Sequence, residues 1–178
     1  ARIWIAAMSD AVAKEAGLSQ GIINLYFQSK DRLLEETLSY VVDEYRATWC
    51  KALENSGDTA VEKLTALVLM DFEKKICHRD KLAVWFAFWG ESRSRPTYRK
   101  ICAQRDKEYR QGLSLYCDQI IADGGYSCQA DQVAFGLSAM SEGLWLDLLL
   151  NSSGLDRKDA AEICMAYLRG IFPQHFVS

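Results

Sequence analysis

The sequence lacks the features that mark membrane, secreted or disordered proteins. Its longest apolar stretches, at residues 82–90 and 143–150, are much shorter than the roughly 20 residues that a membrane helix needs. The sequence does not open with a charged segment, an apolar stretch and a small-residue cleavage site, so no signal peptide is predicted. Apolar residues at 49% and charged residues at 25% are ordinary for a globular protein. We therefore expect a soluble, cytoplasmic protein that does not bind a membrane.

Clustered cysteines and an excess of basic charge are also missing. The six cysteines are scattered singly, without a C-x-x-C pair, and only two histidines occur. Because structural zinc sites need clustered Cys and His residues, we predict no metal site and no cofactor. The cysteines are expected to be reduced thiols that pack as small hydrophobic residues. A net charge of −3 gives no electrostatic indication of nucleic acid, so DNA binding has to be argued from a motif.

Helical periodicity is the strongest pattern in the sequence. Strand patterns of alternating apolar and polar residues bounded by turn signals are absent, prolines number only two, and apolar residues recur every three or four positions. This period predicts an all-α fold with about eight helices. The predicted helices cover residues 8–16, 19–25, 29–55, 59–75, 80–90, 96–125, 129–150 and 156–170.

The segment at residues 12–30 has the pattern of a helix-turn-helix. Two short helices are joined by a tight turn at Gly17, and their apolar residues can pack against each other. The outward side of the second helix is small and polar. Gln and Asn side chains can pair with adenine edges, and a glycine lets the backbone approach the groove. These outward residues are Ser19, Gln20, Gly21 and Asn24.

This motif closely resembles the signature of the TetR family of bacterial repressors over residues 12–34. The resemblance implies a helix-turn-helix DNA-binding domain at residues 1–45 and a helical ligand-binding and dimerisation domain at residues 46–178. It implies that the four outward residues contact operator DNA, and that Tyr26 and Lys30 contact phosphates. Backbone N–H groups at the helix start near Ser9 can also hold a phosphate. Because the family has a full helix before this motif, we expect that part of the first helix is missing.

Two other classes of protein fit parts of the same segment. Residues 17–21 match the G-x-S-x-G pattern of hydrolases, but that pattern needs a preceding strand, and this segment is helical. Only His78 or His175 could serve as the base, so the chain is not expected to be an enzyme. A helical interaction module without DNA affinity stays open, because residues 8–34 carry equal numbers of basic and acidic side chains.

The aromatic run at residues 84–89 has two interpretations. Its rings either pack the core or form walls of a cage for a cation. With Pro96 and residues 142–146, the run resembles the choline-responsive branch of the TetR family, which represses glycine betaine synthesis. That resemblance implies a small cationic effector such as choline, although a different cationic or apolar effector stays open. The predicted cage walls are Trp85, Trp89, Tyr109 and Trp145, with Glu142 or Glu91 as the counter-charge.

Each of these assignments has an ordinary alternative, in which Glu142 is solvated or lies at a dimer face and Tyr109 is a core phenol. The last two predicted helices are the candidate oligomerisation pair, and the first of them carries Gly136, Ala139 or Met140, and Gly143 at helical spacing. The resemblance implies that these helices form a homodimer, which would bind a near-palindromic operator. Packing within one chain is the alternative for these small residues. We expect effector binding to tilt the long helix at residues 29–55 and so to change the spacing of the two recognition helices.

Overall fold

The computed structural model describes residues 29–151 and 154–177, which form six α-helices and no strand. The all-α prediction is therefore confirmed for this part of the chain, which includes most of the long third predicted helix and everything after it. The helices are α1 (Lys30–Asn55), α2 (Ala60–Met70), α3 (Arg79–Glu91), α4 (Pro96–Gly124), α5 (Ala130–Leu150) and α6 (Arg157–Ile171).

Local capping interactions explain where most helices begin and end. The Ser29 hydroxyl accepts a hydrogen bond from the Arg32 N–H at 3.1 Å at the start of α1. Thr59 and Glu62 form a reciprocal capping box at the start of α2, which satisfies two backbone N–H groups that have no partner within the helix. Pro96 occupies the first turn of α4, and Gly125 ends that helix with a φ of 64°. These signals are local, so the sequence pattern predicted these particular boundaries to within one or two residues.

The helix predicted over residues 59–75 is wrong at its end, because α2 stops at Met70. Residues 71–77 instead form turns, including a hydrogen bond of 2.7 Å from the Cys77 N–H to the Glu73 carbonyl. Asp71 is only 1% exposed, and its carboxylate accepts hydrogen bonds from tyrosines of two other helices. These contacts hold Asp71 in a turn, although the apolar period continues beyond it in the sequence. Because they join residues that are far apart in the sequence, apolar periodicity does not predict them.

Helix α4 lies at the centre of the described fold and contacts α1, α2, α3 and α5. The buried stripe of α1 contributes Leu38, Val42 and Tyr45 to the core, as the helical period predicts. Four cysteines belong to the same core, in agreement with the prediction that they pack as small hydrophobic residues; they are Cys77, Cys102, Cys117 and Cys164. Cys128 is partly buried against this core, but Cys50 is exposed on α1, so the packing prediction is wrong for Cys50.

Helix α5 is unusually apolar for a helix with a largely uncovered surface. Among the described residues it alone is long and apolar enough to cross a membrane, with 33% of the relevant stretch buried. Such a helix is weak evidence of a membrane protein, because helices of soluble proteins meet the same criterion. Its exposed apolar side chains include Phe135 at 60% and Leu146 at 42%.

Candidate functional site

Most of the residues predicted to contact DNA lie outside the described part of the chain, so their contacts stay predictions. They are Ser9, Ser19, Gln20, Gly21, Asn24 and Tyr26. The backbone of Lys30 begins α1 directly after the Ser29 cap. The predicted effector site, with its aromatic residues, lies within the described part of the chain.

The four predicted cage walls come together between helices α3, α4 and α5. Trp85 and Trp89 lie one turn apart on α3, with ring centroids 6.0 Å apart. Trp145 of α5 stacks on Trp89 at 6.5 Å, with an angle of 13° between the ring planes. Tyr109 of α4 joins them through Tyr45 of α1, whose ring centroid is 5.8 Å from that of Tyr109. Tyr45 also meets the rings of Trp85 and Trp145 edge-on, each at 6.3 Å.

The guanidinium of Arg105 occupies the space between four of these rings. Its central carbon is 4.2 Å from the ring centroid of Tyr45 and 4.9 Å from that of Trp85. The corresponding distances to Trp145 and Tyr109 are 5.5 Å and 5.9 Å. All four lie within the roughly 6 Å over which a cation is attracted to an aromatic ring. We call the four residues, Tyr45, Trp85, Tyr109 and Trp145, the ring box.

Arg105 is deeply buried, but few of its hydrogen-bond donors have partners. Its side chain is 3% exposed, and Nη1 donates to the Asp106 carboxylate at 2.7 Å. The carboxylate of Glu142 lies 4.0 Å from the same nitrogen, and Nε has no hydrogen-bond partner. Burial disfavours the charge of the guanidinium, but Tyr45 and the carboxylates of Asp106 and Asp71 outweigh it and raise the pKa of Arg105. The group is therefore a permanent cation.

Asp71 fixes the rings from the opposite side. The Tyr45 and Tyr109 hydroxyls donate to its two carboxylate oxygens, each at 2.6 Å, and the Trp145 indole N–H donates to its backbone carbonyl at 2.9 Å. Distances of this length are typical of hydrogen bonds to an ionised carboxylate. Burial raises the pKa of Asp71, while these hydroxyl donors oppose the shift. One residue after α2 thus orients three of the four rings in the box.

The two carboxylates predicted as the counter-charge lie in different surroundings. Glu142 is half-buried beside Arg105, and burial raises the pKa of its carboxyl group. Glu91 points toward Arg95, whose Nε lies 3.9 Å from its carboxylate. The structure therefore places Glu142, and not Glu91, within reach of the cation in the ring box.

Comparison with known proteins identifies the family. Residues 60–173 match the family described as BetI-type transcriptional repressor, C-terminal, and residues 6–37 match the bacterial regulatory proteins of the tetR family. The chain belongs to the BetI-type branch of the tetR family. The predictions of a TetR-like fold and of a transcription regulator that is not an enzyme are thereby confirmed, and the hydrolase alternative is rejected.

Several relatives of this BetI-type repressor are themselves named BetI. The transcriptional regulator BetI of Burkholderia thailandensis is 30% identical over 158 residues, which cover 89% of this chain and 79% of the relative. BetI 1 of Chromohalobacter salexigens is 27% identical over 157 residues, covering 88% of this chain and 76% of the relative. Proteins of this family bind operator DNA and small-molecule effectors and are typically dimeric.

Two solved structures share the fold of this BetI-type repressor. A transcriptional regulator from Pseudomonas aeruginosa PAO1 superimposes with a TM-score of 0.80 and 27% identity, covering 94% of this chain and 81% of the other. A regulator from Saccharomonospora viridis, solved in complex with choline, gives a TM-score of 0.80 and 24% identity, with coverage of 90% and 84%.

Ion pairs connect α4 of this BetI-type repressor, which carries Tyr109 of the ring box, to α1, at whose start the predicted DNA-binding unit lies. Arg95, directly before α4, donates to Asp31 in the first turn of α1 at 2.7 Å. Arg46 of α1 pairs with Glu108 of α4 at 2.8 Å. The helices that form the box therefore hold α1 at its first turn and near its middle.

Three site residues were not predicted from the sequence as part of the site: Tyr45, Asp71 and Arg105. Tyr45 was expected only as a core residue. Asp71 and Arg105 are charged residues at positions where the helical period predicts apolar ones. Asp71 follows Leu67 by four residues and Arg105 precedes Tyr109 by four, so each shares a helix face with a core residue. Charged side chains on a buried stripe are rarely found without a partner, so this spacing was a usable signal.

Proposed function

We propose that this chain is an operator-binding repressor whose effector is a small organic cation, choline being the first candidate, and that it regulates glycine betaine synthesis. The observation that carries this proposal is the ring box, which already holds a cation of the chain itself between four rings. A quaternary ammonium group cannot donate hydrogen bonds and is bound by ring faces and carboxylates. The BetI name of the relatives and the choline in the Saccharomonospora viridis structure support this choice.

The charges around the box favour a cation over an anion. Asp71, Asp106 and Glu142 bring three carboxyl groups to the surroundings of Arg105, which contributes the positive charge at the centre. The acidic groups therefore outnumber the cation that they surround. An organic cation that takes the central position keeps this balance, whereas an anionic ligand would have to enter among three carboxyl groups.

The proposed signal passes from the box to α1. Tyr45 is both a wall of the box and a residue of α1, so movement of the ring moves the helix that begins at the predicted DNA-binding unit. The pair between Arg95 and Asp31 gives a second connection. A coupling free energy of only about 1–3 kcal/mol changes operator affinity by about five- to 150-fold, which is enough for a switch.

We propose that two copies of the chain associate through α5 and α6. Phe135, Leu146 and Leu150 form an exposed apolar stripe on α5, and Ile163 of α6 is 41% exposed. Ala139 and Gly143 are exposed on the same side. Because proteins of this family are typically dimeric, we propose that a second copy of the chain covers this apolar surface.

The small residues predicted for this interface do not all face the same way. A Cβ atom at Gly136 would collide with the hydroxyl of Tyr167 in α6, so this glycine serves packing within one chain. At Gly143 a Cβ atom would meet open space. The proposed interface therefore keeps Ala139 and Gly143 and excludes Gly136.

The decisive experiment is a DNA mobility-shift titration in the presence and absence of choline. The DNA is the promoter region of the operon that contains the chain's own gene. We expect a specific complex, loss of that complex in Asn24→Ala, and release of DNA when choline is added to the unaltered chain. Binding of promoter DNA that Asn24→Ala leaves unchanged would contradict the predicted recognition helix. Operator binding that choline does not affect would show that the effector is another molecule.

A further inference from the structure

The ring box has one central position, and Arg105 fills it. Its guanidinium lies over the ring of Tyr45 at 4.2 Å and within 6 Å of three other ring centroids. A second cation at the same ring faces would be in contact with this charge and repelled by it. An organic cation and the Arg105 guanidinium therefore cannot share the box.

We propose that Arg105 is a tethered competitor, which occupies the ring box in the absence of effector and which a quaternary ammonium effector displaces on binding. Arg105 thereby determines the concentration at which the effector is sensed. This inference rests on the proposed function for the identity of the effector, but the competition itself can be tested with simple cations.

The hydrogen bonds of Arg105 show why it can be displaced. Its Nε is buried without a partner, although an unpaired buried donor is costly. Its bond of 2.7 Å goes to the adjacent residue, Asp106, which is half-buried. The carboxylate of Glu142, 4.0 Å away and 36% exposed, offers a partner toward solvent once the guanidinium leaves the rings. Arg105 is thus held mainly by the ring faces for which an effector would compete.

The same geometry selects among cations. The two carboxylate oxygens of Asp71 already accept hydrogen bonds from Tyr45 and Tyr109, and Ser141 is a further donor to this carboxylate, so little acceptor capacity is left at this side of the box. A primary ammonium group would bring three N–H donors into this space. A quaternary ammonium group has none, so it loses no hydrogen bond on entering the box.

The test compares Arg105→Ala with Arg99→Ala by calorimetric titration with tetramethylammonium chloride. Arg99 is a matched control because it is an exposed arginine on the same helix and forms no wall of the box. We expect Arg105→Ala to bind tetramethylammonium at least about tenfold more tightly than the unaltered chain, and Arg99→Ala to bind within about twofold of it. Equal or weaker binding by Arg105→Ala would overturn the proposal.

Two further probes, one cationic and one anionic, test whether Arg105 competes for the rings or binds a ligand itself. Guanidinium chloride at low millimolar concentration should raise the melting temperature of Arg105→Ala, whose box is empty, but not that of the unaltered chain. Acetate serves as the anionic probe. If the unaltered chain binds acetate and Arg105→Ala does not, Arg105 is a receptor for carboxylates and the proposal is wrong.

An experiment on the unaltered chain avoids any loss of folding in the variant. The Arg105 Nε–H signal, assigned by its absence in Arg105→Lys, should be shifted by the ring currents of the box in a nitrogen–proton correlation spectrum. Saturating tetramethylammonium should remove that shift, and a signal that does not move would overturn the proposal. If tetramethylammonium displaces Arg105 but choline does not release operator DNA, the proposed function fails while the competition stands.

Discussion

Two buried charged side chains, Asp71 and Arg105, determine the properties of the ring box. Asp71 orients Tyr45 and Tyr109 through their hydroxyl groups, and Arg105 occupies the space that these rings enclose. Burial raises the pKa of both tyrosines well above the usual value, with the neighbouring Asp71 as a further cause. The hydroxyls therefore stay protonated and keep donating to Asp71 over the physiological range of pH.

Replacing Asp71 with Asn should destabilise the chain by about 2–4 kcal/mol, because it removes one of the negative charges around the buried Arg105 and leaves one tyrosine hydroxyl without its strong acceptor. Urea unfolding followed by tryptophan fluorescence measures the change. Asp58→Asn is the matched control, since Asp58 is exposed between α1 and α2, and it should change stability by less than about 0.5 kcal/mol. Equal effects of the two substitutions would show that Asp71 does not support the box.

Glu142 should make effector binding depend on pH. Burial raises the pKa of its carboxyl above the ordinary value of 4.5, with Asp106 adding to the shift and Arg105 opposing it. Protonation therefore begins at a higher pH than for an exposed glutamate, and it removes a negative charge that attracts the cation. Choline affinity should fall as the pH is lowered from about 7.5 to about 5.

Calorimetric titrations at several pH values measure this dependence, and Glu142→Gln is the control. The Gln variant should bind choline more weakly at neutral pH and should show a flatter pH profile. A Gln variant whose profile has the same slope as that of the unaltered chain would exclude Glu142 as the titrating group.

The helices differ in how far local sequence determines them. Caps at Ser29, Thr59 and Asp156 are formed by neighbouring residues, so their positions could be predicted from sequence alone. Asp71, the residue directly after α2, accepts hydrogen bonds from Tyr45 and Tyr109, which are 26 and 38 positions away, and no local pattern contains these contacts. Long-range pairing of this kind is what sequence periodicity cannot supply.

The candidate site also has one part that the sequence predicts and one part that depends on long-range packing. The aromatic walls on α3, α4 and α5 could be predicted, because rings and family resemblance are both visible in the sequence. The presence of Arg105 in the box could not be predicted from the sequence, because its position depends on how α4 packs against α1, α3 and α5. The predicted domain boundary between residues 45 and 46 falls within the unbroken α1 and stays a prediction.

The connection between α4 and α1 should carry the signal without contributing to effector binding. Arg95→Ala removes the hydrogen bond from Arg95 to Asp31 in the first turn of α1. Neither of these two residues forms a wall of the box. We expect choline affinity to stay within about twofold, and the effect of choline on operator affinity to fall by at least about threefold.

Operator binding by fluorescence anisotropy, with and without saturating choline, measures this coupling. Arg99→Ala, an exposed position on α4, is the control and should keep the full response. If Arg95→Ala keeps the same ratio of operator affinities, the signal reaches the DNA-binding unit by another route, such as Tyr45.

The complete molecule is expected to act as a dimer, because a single copy presents only one recognition helix. Residues 8–34 carry balanced charge, so one copy gains little from electrostatic attraction to phosphates. Two linked copies turn the second binding event into an intramolecular one, which increases affinity by about 10²–10⁴-fold. The exposed apolar stripe of α5 and α6 is the surface that the described residues offer for this association.

Leu146→Arg should therefore separate the dimer by placing a charge at the centre of this stripe. Leu115→Arg is a matched control, because Leu115 is 54% exposed on α4, a helix outside the proposed interface, whereas Leu146 is 42% exposed. Sedimentation should show a dimer for the unaltered chain and the Leu115 variant but a monomer for the Leu146 variant. Operator affinity of the Leu146 variant should fall at least about 100-fold, while its choline affinity is retained, because the box is built within one chain. A Leu146 variant that remains dimeric would place the interface elsewhere, and a monomeric variant with full operator affinity would show that one recognition helix is sufficient.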